Sequence, residues 1–85
     1  MSWNYRIIKT TKSWNIGGAD YSEDHYQIHE VYYHTDGSIK TWSVGPCSPF
    51  GESVAELNSD LNMYIRATTK PTLTESNGTL VEVKD

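Results

Sequence analysis

Only one segment of this chain has the periodicity of a helix, and this restricts the folds open to it. Apolar side chains recur at helical spacing between residues 54 and 67, at Val54, Leu57, Leu61, Tyr64 and Ile65, and Thr68 closes the stripe. Ser53 precedes the run and Glu56 follows three residues later, which is the pattern of a capping box. Pro71 marks the end of the segment. We therefore expect a single amphipathic helix over about residues 54–67.

Most of the remaining chain favours strands. Residues 5–12, YRIIKTTK, are rich in β-branched side chains and are interpreted as a first strand. Residues 13–24 contain paired glycines among Asn, Asp and Ser, and are interpreted as a loop. Residues 25–44 are interpreted as two strands joined at Asp36-Gly37, a dipeptide typical of hairpin turns.

The pairing of this hairpin has two readings, and they place side chains on different faces. A three-residue turn with a left-handed Gly37 pairs Glu30 with Trp42, whereas a two-residue turn pairs Val31 with Trp42. In the first register one face holds Tyr26, Ile28, Tyr32, Trp42 and Val44, and the other holds His29, Val31, Tyr33 and Ile39. Both faces carry apolar rings in either register. The face that one helix leaves bare then needs a cover, from the loop with Trp14 and Ile16, from the C-terminal segment, or from another molecule.

These segments predict an α+β fold, with an antiparallel β-sheet of three to four strands and one amphipathic helix packed on one face. The order is β-β-β-α, followed by a C-terminal strand or a hairpin about Asn77-Gly78. Eighty-five residues suffice for one domain. We assign residues 1–75 to that domain and residues 76–85 to an edge strand or tail.

Charge and composition argue against several classes of protein. The net charge is -4 and the seven Lys and Arg are scattered, whereas nucleic-acid binders show a clustered basic face. No apolar run approaches the roughly 20 residues that span a bilayer, and the N-terminus does not have the pattern of a signal peptide. A single cysteine, Cys47, leaves no internal disulfide and no multi-cysteine zinc site. We expect a cytoplasmic protein with no nucleic-acid or membrane partner.

No pattern of catalytic or metal-binding residues stands out. His25 and His29 are four residues apart on a predicted strand, a span of about 13 Å that is too long for one metal ion. His34 lies at the hairpin turn. Cys47 with a histidine such as His29 is a conceivable pair of nucleophile and base, but the spacing selects no partner for the thiol. We expect no catalysis, no metal and no cofactor.

Aromatic residues make up 12% of the chain, and they are the unusual feature of its composition. Tyr and Trp stabilise small sheets, and they are also enriched where protein partners bind. The candidate contact surface comprises Trp14, His29, Val31, Tyr33, Ile39 and Trp42. Its expected occupant is a protein partner or a second copy in a homodimer. A small-ligand or carbohydrate site using Trp14, Tyr33 and Trp42 is the alternative.

The order of motifs over residues 5–73 resembles a small family of bacteria and their phages that has no assigned activity. The shared pattern is Tyr-x-Ile-x-Glu-Val-Tyr-Tyr, Asp-Gly, Trp, a Pro loop, Gly-Glu-Ser-x-x-Glu-Leu and Lys-Pro-x-Leu. This resemblance implies a regulatory or host-directed binding protein. Strands that lead through Gly-Glu-Ser-x-x-Glu into a helix are also similar, more distantly, to the partial RNase-H-like domain of HicB-type antitoxins. Those proteins neutralise a small toxin and usually add a DNA-binding segment, which we do not find in this sequence.

Overall fold

The computed structural model describes residues 2–83, which form one helix and one five-stranded sheet. The elements are β1 (Ser2–Ile16), β2 (Ala19–Tyr33), β3 (Ile39–Trp42), α1 (Val54–Ala67), β4 (Leu73–Ser76) and β5 (Thr79–Glu82). The strand order is β3-β2-β1-β4-β5. The α+β class is confirmed, but the sheet has five strands, and β1 and β4 are parallel while the other neighbours are antiparallel. The prediction of three to four antiparallel strands was therefore wrong in number and in one pairing.

The predicted loop at residues 13–24 is wrong, because β1 and β2 continue through it. The two strands pair without interruption from Ser2 with Tyr33 to Ile16 with Ala19. Gly17 and Gly18 have φ of 59° and 88°, so they form the two-residue turn that suits a twisted hairpin. The Asn, Asp and Ser residues that signal loops lie here on paired strands, where the partner strand supplies the backbone hydrogen bonds.

The β2–β3 hairpin adopts the alternative register, in which Val31 pairs with Trp42. A bulge follows, and Tyr33 then pairs with Ile39. Gly37 has φ 90°, and the Asp36 carboxylate accepts hydrogen bonds from the backbone N–H and hydroxyl of Ser38 at 2.9 and 2.6 Å. These hydrogen bonds lower the pKa of Asp36. The register places Trp42 on the same face as Val31, so the face assignment based on the longer turn was wrong.

Helix α1 begins and ends where the sequence predicts. The Glu56 N–H donates to Ser53 Oγ at 3.1 Å, and the Glu56 carboxylate accepts from the Glu52 N–H at 3.2 Å. Thr68 caps the C-terminus, and Pro71 lies three residues beyond it. Among the helical residues described, none forms a segment long and apolar enough to cross a membrane.

The main apolar core lies on the sheet face opposite α1. Its buried members come from four strands, Ile8, Val31, Leu73 and Leu80, and Tyr33, Ile39 and Trp42 pack against them. The C-terminal segment thus adds Leu73 and Leu80 to this face as two further strands of the same sheet, and it extends the face rather than covering it as one of the three predicted alternatives had proposed. Its hairpin turns at Asn77-Gly78, where φ is 53° and 82°. A boundary between residues 75 and 76 would divide this hairpin, so the described part of residues 76–85 belongs to the sheet. Lys84 and Asp85 lie outside the described residues.

Helix α1 packs on the other face through a contact with β1. The Tyr5 hydroxyl donates to Asp60 Oδ1 at 2.9 Å, and the rings of Tyr5 and Tyr64 lie 4.4 Å apart between centroids. Gly51 lies against the first turn of the helix, where a Cβ would overlap the backbone of Leu57. The sheet thus positions α1 by a few polar and aromatic contacts rather than by the whole apolar stripe.

Candidate functional site

The β1–β2 hairpin extends far beyond the sheet. Strand β4 pairs with β1 at Ile8 and Lys9, and β3 pairs with β2 at residues 31–33. Residues 10–25, here called the arm, therefore form a two-stranded ribbon that projects by roughly 20 Å, at about 3.3 Å per residue. The radius of gyration is 15.3 Å, whereas a compact chain of this length has about 12 Å. Residues 10–24 are all exposed.

Cross-strand contacts stabilise the arm along its length. Thr11 Oγ1 donates to Asp24 at 2.7 Å, and Asn15 Nδ2 donates to Asp20 at 2.8 Å. The rings of Trp14 and Tyr21 stack with centroids 6.0 Å apart and planes 17° apart. An isolated two-stranded ribbon is only marginally stable, and these side-chain pairs add to its stability.

The two faces of the arm differ in chemistry. On one face Trp14 pairs with Tyr21 and Ile16 pairs with Ala19. On the other face the corresponding pairs are polar, namely Ser13 with Ser22 and Asn15 with Asp20. We call the four apolar residues at the end of the arm the aromatic tip; Trp14, Tyr21 and Ile16 are 42%, 48% and 64% exposed. Aromatic side chains exposed together are characteristic of protein contact sites.

The arm is acidic. It carries Lys12 against Asp20, Glu23 and Asp24, a formal charge of +1 - 3 = -2 without its histidine. A β-ribbon that enters a nucleic-acid groove needs the opposite sign. On the face of the aromatic tip Lys12 pairs with Glu23, whereas Asp20 and Asp24 lie on the other face, so the tip itself favours a largely apolar binding surface.

Of the predicted contact residues, Trp14 is the one that the structure places on an exposed surface with other apolar side chains. Val31 and His29 are 0% and 4% exposed, so the prediction that they contact a partner is inconsistent with their burial. Tyr33, Ile39 and Trp42 are half-buried against the main core. The sequence interpretation missed Ile16, Ala19 and Tyr21 because it placed them in a loop. Alternation of apolar residues on both sides of Gly17-Gly18 is the signal that identifies them.

The structure brings His29 and Cys47 near a third residue, Ser43, that sequence reasoning did not single out. His29 Nδ1 lies 3.0 Å from the Ser43 carbonyl oxygen, and Ser43 Oγ lies 3.9 Å from the Cys47 sulfur. The Ser43 hydroxyl donates to the Gly45 carbonyl at 2.9 Å and accepts from the Glu30 N–H at 3.2 Å. These bonds tie residues 43–47 to the edge of β2. The Ser43 hydroxyl also lies 3.4 Å from His29 Nδ1, so it neighbours both the thiol and the imidazole.

Histidine side chains can also bind a metal ion when other ligands lie nearby. Within residues 2–83 no group of three or more His, Cys, Asp or Glu side chains is placed to hold a metal ion.

Comparison of the chain with models of known families, with curated proteins and with solved structures found no match. The resemblances to a bacterial and phage family and to HicB-type antitoxins therefore stay predictions.

Proposed function

We propose that this chain is a small, non-catalytic, cytoplasmic domain that binds a protein partner through the aromatic tip of its arm. The observation that carries this proposal is the exposure of the tip on one face of a paired ribbon, well outside the core. The main core is complete without Trp14, Ile16 and Tyr21, so packing within the monomer does not account for them. Large aromatic side chains supply contact area at little cost in side-chain entropy.

The chemistry of the arm specifies the kind of partner. A cleft that accepts the tip would be apolar at its centre, because Trp14 and Tyr21 present stacked rings there. Its rim would carry charges of both signs, because Lys12 and Glu23 pair on the same face as the tip. Such a partner fits the regulatory or host-directed role that the phage resemblance implies.

A small-ligand or carbohydrate site at the arm is the second candidate. A shallow cleft of about 530 Å³ lies there, lined by Ser13, Trp14, Asn15, Asp20, Tyr21 and Ser22. A sugar stacked on an aromatic ring also needs hydrogen-bonding groups beside that ring. Asn15 and Asp20 are bonded to each other on the opposite face of the ribbon. This arrangement favours a protein partner over a sugar.

Neutralisation of a small toxin is a narrower form of the same proposal. It is supported by the order of elements, in which three antiparallel strands lead through residues 51–53 into α1. A fold alone does not establish an activity, so the identity of the captured partner decides this point.

The test is an affinity pull-down with three versions of the chain. They are the wild type, the double variant Trp14→Ala/Tyr21→Ala, and the control Ser13→Ala/Ser22→Ala on the polar face of the same ribbon. We expect a partner to be retained by the wild type and the control and lost from the Trp14→Ala/Tyr21→Ala variant. The arm lies outside the core, so both variants should keep the circular dichroism spectrum of the body.

Two results would contradict the proposal. One is a partner that the Trp14→Ala/Tyr21→Ala variant retains. The other is a shift of tryptophan fluorescence on titration with a panel of simple sugars that disappears in the Trp14→Ala variant, because it would assign the arm to a small ligand.

A further inference from the structure

Helix α1 presents part of its apolar stripe to solvent. Val54, Leu61 and Ile65, here called the ridge, are 76%, 39% and 63% exposed. The side of the helix turned to the sheet carries Leu57, Asp60, Tyr64 and Ala67 instead. At about 100° per residue, the ridge is rotated by roughly 100° from the side that packs on the sheet. The prediction that one stripe both defines the helix and packs on the sheet was wrong for these three residues.

The ridge is free of charge. The charged residues of α1 are Glu56, Asp60 and Arg66, and each lies at least about 120° around the helix from the centre of the ridge. The residues that flank the ridge are uncharged, namely Leu57, Asn58, Asn62, Thr68 and Thr69. A solvent-facing side of a surface helix is ordinarily charged or polar. Depletion of charge around exposed apolar residues is the compositional mark of an interface core.

A groove lies beside the ridge, between α1 and the sheet. It has a volume of about 430 Å³ and is lined by Ile7, Tyr26, Gln27, Ile28, Pro46, Cys47, Ser48 and Tyr64. None of these eight side chains is charged. Tyr64 belongs to the groove and lies one turn from Leu61, so groove and ridge form one continuous surface.

We propose that this surface is the interface of a symmetric homodimer, in which the ridge of each copy packs into the groove of the other. A two-fold interface uses the same patch on both copies, so the patch must be complementary to itself. A convex ridge adjacent to a concave groove meets that requirement, because the ridge of each copy can fill the groove of the other. Each groove is incomplete without the second copy.

The area of this surface suits a second copy as the occupant, and its lack of charge removes the main electrostatic obstacle to self-association. Two copies of a chain with net charge -4 repel each other, so they associate most readily through a surface that carries no charge. A homodimer interface of about 800 Å² per partner that is about 65% apolar requires about 520 Å² of apolar area. Of the ten apolar side chains of ridge, flank and groove, four are 39–76% exposed and five are half-buried, and together the ten supply roughly 300–600 Å².

The dimer goes beyond the proposed function and does not depend on it. Tyr26 and Ile7 lie on the face of the β1–β2 ribbon opposite the aromatic tip, since Trp14 and Ile16 alternate with the residues of that face. Both arms thus stay free in the dimer, which presents two aromatic tips to a partner.

The test is the molar mass by light scattering on a size-exclusion column, over a hundredfold range of concentration. We expect the wild-type mass to rise to that of a dimer. Ile65→Glu places a charge at the centre of the interface, and should raise the dissociation constant by about 30-fold or more. The matched control is Ser59→Glu, which adds the same charge to the solvent side of the same helix, about 140° from the ridge.

A variant on the opposite wall separates loss of the interface from loss of folding. Tyr26→Glu should weaken the dimer as Ile65→Glu does, because each residue meets the other copy in the reciprocal arrangement. Tyr26 is 59% exposed and Ile65 is well exposed, so each variant should keep the wild-type circular dichroism spectrum as a monomer.

Three outcomes would overturn the inference. They are a wild-type monomer at every concentration, a dimer that persists in both Ile65→Glu and Tyr26→Glu, and a dimer that Trp14→Ala/Tyr21→Ala alone dissociates. The third outcome would assign self-association to the arm. Retention of a protein partner by the monomeric Ile65→Glu variant would leave the proposed function of the arm standing even if the dimer is wrong.

Discussion

Replacement of Tyr5 by Phe should destabilise the fold, and the size of the effect should depend on pH. Tyr5 is 9% exposed. Its hydroxyl donates a hydrogen bond to Asp60 Oδ1 at 2.9 Å, which joins β1 directly to α1. Burial raises the pKa of Tyr5 above its ordinary value, and the hydrogen bond to Asp60 raises it further. The hydroxyl therefore stays neutral in the folded chain at pH values where it ionises in the unfolded chain.

At neutral pH the loss should be about 1.5 kcal/mol. A hydrogen bond to a charged acceptor contributes about 1.5–3 kcal/mol, and the lower value applies because Asp60 is only half-buried and also accepts from the Phe50 N–H. A folded pKa above the unfolded value of about 10 means that the contribution of the hydroxyl is fully present below about pH 10 and is lost above it. Between about pH 10 and pH 11 this loss of unfolding free energy amounts to about 1 kcal/mol. The Tyr5→Phe variant should lack this part of the pH dependence, because phenylalanine has no hydroxyl to ionise.

The assay is urea unfolding at neutral and alkaline pH at one fixed protein concentration, since association would shift the midpoint. The control is Tyr21→Phe, whose hydroxyl has no hydrogen-bond partner among the described residues. The pKa of Tyr64 is raised by burial and that of Tyr32 by its hydrogen bond to Glu30, so Tyr5→Phe should reduce the alkaline loss of stability without abolishing it. The reasoning would be refuted if Tyr5→Phe and Tyr21→Phe had the same unfolding free energy at neutral pH and lost the same amount of it at alkaline pH.

Two further substitutions test how the remaining segments are held. Gly51→Ala should cost about 1–3 kcal/mol of unfolding free energy, because a Cβ there overlaps the backbone of Leu57. The control Gly45→Ala should be near neutral, because its Cβ meets no atom within 4 Å. Equal urea midpoints for the two variants would be evidence against the contact at Gly51. Leu80→Ala should cost about 2–5 kcal/mol, since Leu80 is 6% exposed in the main core, whereas Val81→Ala on the same strand should cost less than about 1 kcal/mol. If both variants unfold at the wild-type urea concentration, the C-terminal hairpin is not part of the cooperative unit.

Short-range signals made several elements predictable from the sequence alone. Ser53 and Glu56 determine the start of α1, because the cap satisfies N–H groups within the same turn. Asp36-Gly37 and Asn77-Gly78 determine two of the turns, because left-handed backbone is inexpensive for Gly37, Asn77 and Gly78, and the Asp36 carboxylate bonds to Ser38 within the turn. Each of these features depends on residues only a few positions apart, and the rest of the fold does not alter them.

The candidate site was less predictable than the fold class. Trp14 was singled out for its ring, but its neighbours Ile16 and Tyr21 join it only because β1 pairs with β2 through residues that look like a loop. The buried positions of His29 and Val31 depend on packing against segments distant in the chain. A contact surface cannot be separated from a core by composition when both use the same aromatic residues.

What the sequence by itself determined is the class of the fold, the bounds of one helix and the positions of two turns, since local hydrogen bonds and periodicity decide them. Only the tertiary structure decided the length of the arm, the pairing of Val31 with Trp42, the parallel contact of β1 with β4, and the side of α1 that meets the sheet. The physical reason is that strand pairing and helix orientation depend on partners far away in the chain, and a helix can rotate by about one residue's angle without changing its own hydrogen bonds. In this protein that rotation leaves Val54, Leu61 and Ile65 exposed, and the proposed dimer depends on it.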